Sequence, residues 1–293
     1  MSYGGEQRAS VAGVHAPSGP VWKSVRVQRE ISSSIILNHR DGERTNFAFL
    51  VAGAAGQTYV RENLRLTIDG LEVQPLVWEQ PDGTRCHRVE SSGSRLELEY
   101  SATIDGFAAP VEVTETDRLV YSRPSRYAES DLLGPSTRAL FKGLRNWDLV
   151  DAVVDWTHTH LAYIPGSSGF TDGARDTYLG RTGVCRDYAH LVIAFLRAMD
   201  MPARLVSVYA PGLRPMDFHA VVEVLVDDAW YVVDATHLAP RERMVRIATG
   251  RDAADTAFLT NTLAGVRLWS LQVQATTDTP VDPIDHTARV QLQ

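Results

Sequence analysis

Three residues of the types that build a nucleophilic site occur in the order Cys185, His219 and Asp234. Cys185 follows a Thr-Gly-Val run and begins a stretch, residues 185–200, whose apolar positions recur at helical spacing. His219 lies at the start of an apolar run typical of a strand, and Asp234 lies at the end of the next such run. A thiol beside an imidazole that a carboxylate orients is an arrangement for attack on a carbonyl carbon.

The predicted position of Cys185 at the first turn of a helix favours its reactive form. The thiolate, rather than the thiol, is the nucleophile. The N-terminal end of a helix carries partial positive charge, which stabilises a neighbouring anion. The unpaired backbone N–H groups at the same end can also bind an oxyanion.

The spacing of the other two residues predicts that they meet on a β-hairpin. A two-residue turn at positions 227–228 places Asp234 opposite Val221, which is two residues from His219 on the same strand face. Such diagonal neighbours are about 7–8 Å apart at the backbone, within reach of long side chains. A slip of one residue would put the two side chains on opposite faces.

Each of these residues also has an ordinary structural interpretation. A cysteine at the start of an amphipathic helix is usually a small buried hydrophobe. A histidine at a strand start is usually structural, and an aspartate at a strand end usually belongs to a turn. The three together, each at an element end, favour chemistry. For Asp187 and His190, on the same helix as Cys185, we expect a buried hydrogen-bonded pair that holds the helix to the sheet rather than a substrate site.

The bulk composition excludes several classes of protein. The chain has 293 residues, 44% hydrophobic and 22% charged, which is ordinary for a globular protein. A formal charge of −7 argues against nucleic acid as a partner, because that needs a basic surface. No run of apolar residues is long enough to span a membrane. The two cysteines, Cys86 and Cys185, exclude a disulfide framework and favour a reducing cytoplasm.

The pattern along the chain divides it into four segments. Residues 1–20 are rich in Gly, Ser and Ala and are predicted to be a flexible leader. Residues 21–120 alternate apolar and polar positions between turns, which predicts an all-β domain of sandwich type. Residues 121–134 are expected to be a connector. Residues 135–293 contain helices first and an antiparallel sheet afterwards, so the predicted fold class is α+β.

The sequence resembles the bacterial transglutaminase-like superfamily, whose members are often labelled cysteine proteases. The resemblance rests on four runs: GVCRDYAHL from Gly183, MPAR from Met201, FHA from Phe218 and WYVVDAT from Trp230. It implies a papain-like α+β core preceded by an N-terminal β domain. It also implies a catalytic triad of Cys185 as nucleophile, His219 as general base and acid, and Asp234 as the group that orients the imidazole. No acidic cluster matches the calcium sites of animal transglutaminases, so we expect no metal, and no cofactor is expected either.

Some positions depart from the patterns of related families. Arg186 follows the cysteine where eukaryotic transglutaminases have Trp, and Leu179 stands where papain-type proteases have the Gln of the oxyanion hole. Many relatives have Ala-Trp after the histidine, whereas this chain has Ala220-Val221. The second oxyanion donor is therefore not assigned, and protein crosslinking is disfavoured.

The expected function is acyl transfer through a thioester. The sequence favours hydrolysis of an amide or peptide bond in a peptide or small amide substrate. Transfer of the acyl group to an amine is the alternative, and it would use the same three residues. A non-catalytic protein-interaction module that retains the fold is a second alternative, which the intact triad disfavours. The substrate and the oligomeric state are left open.

Overall fold

The structure is a computed structural model that describes residues 27–40, 42–262, 265–280 and 285–293. The predicted leader, residues 1–20, lies outside the described residues. Strands account for most of the regular structure: β1 (Gln28–Asn38), β2 (Thr45–Phe49), β3 (Tyr59–Ile68), β4 (Leu71–Glu72), β5 (Leu76–Glu79), β6 (Arg85–Ser91), β7 (Arg95–Asp105), β8 (Ala162–Tyr163), β9 (Thr182–Gly183), β10 (Ala203–Tyr209), β11 (Phe218–Val226), β12 (Ala229–Val233), β13 (Val245–Gly250), β14 (Leu259–Asn261) and β15 (Arg267–Thr277). The helices are α1 (Glu115–Val120), α2 (Ser130–Leu140), α3 (Asn146–His160), α4 (Ala174–Gly180), α5 (Cys185–Ala198) and α6 (Ala253–Thr256), with a 3-10 turn at Arg241–Arg243.

Two antiparallel sheets form the predicted β region. One has the strand order β15-β1-β7-β3-β4 and the other has the order β14-β2-β6-β5. Burial alternates along β1 and β7, as expected for strands with one face in a core. The inward side chains of both sheets, including Ile35, Phe47 and Leu98, belong to one buried cluster. The predicted sandwich-like arrangement is therefore present.

The strand pairing differs from the predicted division of the chain at its C-terminal end. β14 pairs with β2 and β15 pairs with β1 along ten residue pairs, so residues 259–277 complete the N-terminal sheets. The sequence pattern instead assigns them to the segment 135–293. A strand carries no local information about a partner more than 200 residues away, so this return of the chain was not visible in the sequence pattern.

The second part of the fold has helices packed on a four-stranded antiparallel sheet. The sheet order is β12-β11-β10-β13, and α5 packs across it. Nearly every side chain of α5 after its first turn is buried, because α2, α3 and α4 cover its other sides. The central helix that carries Cys185 is thus fixed from all directions, which gives its N-terminus a defined position.

The two parts share buried contacts rather than being joined only by a connector. Tyr209 of β10 donates a hydrogen bond to the Val51 carbonyl at 2.8 Å and lies 3.0 Å from Ser33 Oγ. Val245 and Ile247 of β13 belong to the core of the β-sandwich. Among the described helices, none combines the length and apolarity needed to cross a membrane.

The helix boundaries differ slightly from the predicted ones. Helix α2 begins at Ser130, five residues before the expected start of the helical segment at residue 135, and contains Pro135 in its interior. The next helix begins at Asn146, and its cap position is Arg145, which makes no side-chain capping bond. Neither difference moves the elements that carry the three candidate residues.

Candidate active site

Cys185 is the first residue of α5, as the sequence predicts. The carboxylate of Asp187 accepts a hydrogen bond from the Val184 N–H at 2.8 Å, which satisfies one of the free donors at this helix end. A side chain at Gly183 would place its Cβ 2.6 Å from the Cβ of Asp187, so only glycine permits this close turn. Cys185 is partly exposed and faces a cleft, whereas Cys86 is buried in the β-sandwich.

The hairpin register is the predicted one. Val226 pairs with Ala229, and the two turn residues between them both have positive φ, 46° for Asp227 and 62° for Asp228. Two consecutive positive φ values are typical of a type I′ turn, which matches the twist of the flanking strands. This register brings His219 Nε2 to 2.7 Å from Asp234 Oδ2.

The carboxylate of Asp234 is held on both oxygens. Its Oδ1 accepts hydrogen bonds from the Thr236 backbone N–H at 2.9 Å and from the Thr236 hydroxyl at 2.7 Å, and its Oδ2 faces the imidazole. Both His219 and Asp234 are nearly fully buried. Burial favours the neutral acid, but the imidazole and the Thr236 donors outweigh it and lower the pKa of Asp234.

The environment of His219 favours the charged imidazole. Burial acts to lower the pKa of His219, but the charge and hydrogen bond of Asp234, together with a hydrogen bond to Cys185, raise it to about 10. Since Nε2 is engaged by Asp234, Nδ1 is the ring nitrogen left for the thiol. The structure thus brings together all three residues that the sequence singled out, in the order cysteine, imidazole, carboxylate.

Tyr163 is a neighbour of Cys185 that the sequence analysis did not single out. Strand β8 pairs in parallel with β9, which places Tyr163 beside Gly183, two residues before the cysteine. Burial and the thiol of Cys185 raise the pKa of the Tyr163 hydroxyl, while a hydrogen bond from the Cys185 backbone N–H acts to lower it. The phenol therefore lies near both the thiol and the backbone amide of Cys185. Only the strand pairing reveals this contact, because 22 residues separate the two in the chain.

The loop before α4 is fastened to the helix that carries Cys185. The Arg186 guanidinium donates to the Ser168 hydroxyl at 2.5 Å and to the Gly169 carbonyl at 2.7 Å. The Ser168 hydroxyl in turn donates to Asp187 Oδ1 at 2.8 Å. Arg186, which replaces the Trp of eukaryotic transglutaminases, thus holds this loop next to the nucleophile.

Cys185 and His219 open onto a cleft of about 570 Å³. Its lining is largely apolar and comes from both parts of the fold, with Phe218 and Leu205 on one side and Phe258, Leu268 and Leu271 on the other. A cleft of this size is typical of a small-ligand site. The residues that form its walls, and their apolar character, could not be predicted from the sequence, because the strands that supply them are distant along the chain.

The expectation for Asp187 and His190 is met in part. Both side chains are buried and hydrogen-bonded, but they do not bond each other. His190 Nε2 accepts a hydrogen bond from the Ala253 N–H at 3.1 Å, and its ring stacks on Tyr127 at 5.3 Å. Burial lowers the pKa of His190 to about 3, which keeps the ring neutral. Asp187 instead caps its own helix and holds the loop described above.

A group of three histidines lies behind Asp234 without reaching the cleft. The rings of His158 and His237 stack at 4.0 Å, and those of His237 and His286 stack at 3.6 Å. Burial and the neighbouring rings lower the pKa of His237 to about 4. Within the described residues, no group of three or more His, Cys, Asp or Glu side chains is arranged to hold a metal ion.

Comparison with known proteins places this geometry in a family. Residues 141–235, which include all three site residues, match the transglutaminase-like superfamily. A crystal structure of a "Putative Cysteine Protease" from Cytophaga hutchinsonii is 31% identical, with a TM-score of 0.80, and the match covers 89% of this chain and 94% of that one. The chain belongs to the transglutaminase-like superfamily.

The curated relatives cover less of the chain. An uncharacterized protein of Mycobacterium leprae is 30% identical over 124 residues, which are 40% of this chain and 44% of the relative. An uncharacterized protein of Mycobacterium tuberculosis is 29% identical over 161 residues, 50% of this chain and 46% of the relative. The chain thus matches less than half the length of these relatives.

Proposed function

We propose that this protein is a cysteine-dependent hydrolase of amide or peptide bonds that acts through a thioester on Cys185. The observation that carries the proposal is the buried pair of His219 and Asp234, 2.7 Å apart, beside a partly exposed cysteine at a helix start and an open cleft. A structural histidine would not need a buried carboxylate on one side and a thiol on the other.

The first half-reaction forms the thioester and releases an amine. The Cys185 sulfur attacks the carbonyl carbon, and the carbonyl oxygen becomes an oxyanion. When the C–N bond breaks, the proton held by the imidazolium of His219 passes to the leaving nitrogen, which departs as a neutral amine. The high pKa of His219 supports an imidazolium in the resting enzyme.

The second half-reaction returns the enzyme to its starting state. A water molecule gives a proton to His219 and attacks the thioester carbon, which releases the carboxylic acid and regenerates the thiolate–imidazolium pair. Asp234 keeps the imidazole oriented through both steps and stabilises its charge. We assign the oxyanion site to the backbone N–H of Cys185 and the hydroxyl of Tyr163, since both meet at the nucleophile.

Transfer to an amine is the second candidate. Asp217 lines the cleft two residues before His219, and its carboxylate accepts a hydrogen bond from the Phe218 N–H at 2.7 Å. Burial raises the pKa of Asp217 above the usual range for a carboxyl group. A carboxylate of raised pKa in this place would take a proton from an incoming ammonium group and leave the neutral amine to attack the thioester, which supports an acyltransferase.

The compartment is also a proposal. We place the protein in a reducing cytoplasm, because its two cysteines are free and one of them is the proposed nucleophile. Fractionation of cells with an antibody to the protein tests this placement.

The function is tested by product analysis on a library of peptide amides. We expect the purified protein to release ammonia or amine from a subset of the library, and the Cys185→Ala variant to release none while keeping its circular dichroism spectrum. With a primary amine in excess, amide products instead of free acids would favour the acyltransferase. Equal product release by the wild type and Cys185→Ala would reject both functions, because the thiol would then take no part in the reaction. No release by the wild type from any member of the library would leave a binding module.

A further inference from the structure

The cleft beside Cys185 has walls from two parts of the fold. Leu205 and Phe218 belong to the catalytic sheet, whereas Phe258, Leu259, Leu268 and Leu271 lie on or next to the returning strands β14 and β15. The ring of Phe218 stacks on Phe258 at 5.2 Å, and Phe218 directly precedes His219. The β-sandwich therefore supplies one wall of the cleft next to the proposed general base.

The size and chemistry of these walls select what can bind. About 570 Å³ is far more than an acetyl or formyl group fills, and the lining side chains are mostly aliphatic or aromatic. Leu268 is 42% exposed, so its apolar surface is hydrated until a ligand covers it. Burial of apolar surface lowers the free energy in proportion to the area buried, so the cleft favours binding of a large apolar group.

Two residues that line the cleft, Arg186 and Ser207, each have a shielded polar atom without a hydrogen-bond partner among the described residues, and only that of Ser207 is uncharged. Ser207 is one of the residues that line the cleft, and its hydroxyl oxygen, which is shielded from solvent, makes no hydrogen bond within the described part of the chain. Its cross-strand neighbours are Ala220 on β11 and Ala248 on β13, whose side chains offer no polar atom. Shielded hydroxyls are normally satisfied by protein, water or ligand, so the Ser207 hydroxyl is available to a polar group of a ligand in the cleft.

We propose that the cleft binds the acyl half of a peptide-like substrate, with a large apolar side chain against the β-sandwich wall and one peptide group hydrogen-bonded to Ser207. This inference rests on the proposed function, because it assigns the substrate class of the same thiol. The acyl half stays attached to Cys185 through both half-reactions, whereas the leaving amine and the water must exchange with solvent. A pocket that includes Cys185 itself therefore suits the acyl half.

The experiment compares 4-nitroanilides that differ only in the acyl group. N-acetylglycyl, N-acetylleucyl and N-acetylphenylalanyl anilides vary the apolar side chain. A 3-phenylpropionyl anilide keeps the phenyl ring and removes the acetamido group. We expect kcat/KM to rise about 10- to 100-fold from glycine to leucine or phenylalanine, which corresponds to burial of one such side chain.

Variants separate the two contacts. Leu268→Ser should reduce the preference for phenylalanine over glycine. Leu76→Ser, the same substitution of an exposed leucine on the other sheet of the sandwich, should leave this preference unchanged. Ser207→Ala should lower kcat/KM about fivefold for the N-acetylphenylalanyl anilide and leave the 3-phenylpropionyl anilide unaffected.

The outcomes show whether the acyl-cleft assignment fails alone or the proposed hydrolase function fails as well. Cys185-dependent turnover with no preference across the acyl series would overturn the acyl-cleft assignment alone. An equal effect of Ser207→Ala on both phenyl substrates would overturn the peptide-group contact. Turnover that is unchanged in Cys185→Ala would overturn the proposed function and this inference with it.

Discussion

His219 Nε2 lies 2.7 Å from Asp234 Oδ2, and the contact exists only because a two-residue turn sets the register of β11 against β12. The contact gives the carboxylate its role in orienting the imidazole. Replacement Asp234→Asn keeps the size of the side chain but removes its charge and alters which ring nitrogen carries the proton. We expect a folded protein whose kcat falls by about 10³-fold or more, measured on the best amide substrate.

Thr236→Val is the matched control for that variant. It removes one of the two Thr236 donors to Asp234 Oδ1 and keeps the backbone N–H. We expect a loss of kcat of less than about tenfold, in line with one neutral hydrogen bond. Asp234→Asn with kcat close to the wild-type value would remove Asp234 from the proposed mechanism.

The Tyr163 hydroxyl is predicted to support the oxyanion. Tyr163→Phe removes only this group, so we expect kcat to fall about 10²-fold with little change in KM. Tyr188→Phe is the control, because the Tyr188 hydroxyl bonds the Leu161 carbonyl rather than Cys185. If both variants keep wild-type kcat under steady-state assay, Tyr163 has no part in the chemical step.

Arg186 is predicted to hold the loop of residues 166–173 beside the nucleophile. Arg186→Ala removes its hydrogen bonds to Ser168 and Gly169. Amide hydrogen exchange in this loop should become faster, and KM should rise several-fold while kcat changes less. Arg175→Ala, at an exposed position on the neighbouring helix, should leave exchange and KM at wild-type values. A loop that exchanges equally in the wild type and Arg186→Ala would contradict the assignment.

The raised pKa of His219 predicts a pH-dependent contribution to stability. An unfolded histidine titrates near pH 6.5, whereas folding raises the pKa of His219 to about 10. Between these values the folded state holds more protons, so the contribution is fully present below about pH 6.5 and is lost as the pH rises towards 10. The difference in unfolding free energy between the wild type and His219→Gln should therefore shrink from pH 6 to pH 9.5 in urea titrations.

The Asp234→Asn background provides the control for this titration. Without the carboxylate, only the contact with Cys185 opposes the effect of burial on the charged ring, and the effect of His219→Gln should decline less with pH than in the wild type. If the difference in unfolding free energy between the wild type and His219→Gln grows with pH, His219 is not protonated in the folded protein.

The local parts of the site were predictable from the sequence. Alternating and helical apolar spacing located α5 and the hairpin, and the two-residue turn determined which face of β11 meets Asp234. The cleft and its neighbours were not predictable, because they depend on pairings between distant segments. β8 with β9 brings Tyr163 to Cys185, and β1 with β15 brings Leu268 to the cleft. The partner of His190 was also not predictable: the sequence suggests Asp187, whereas His190 bonds the Ala253 backbone.

The most direct test of the account is alkylation of Cys185 by iodoacetamide between pH 5 and 9, with the adduct located by peptide mass spectrometry. A thiolate held by the His219 imidazolium predicts that Cys185 reacts at pH 6 at a rate within a few-fold of its rate at pH 8, faster than a free thiol, while buried Cys86 is unmodified. His219→Gln should abolish the reaction at pH 6. If Cys185 reacts no faster than a free thiol throughout the range and shows no dependence on His219, it is not an activated nucleophile.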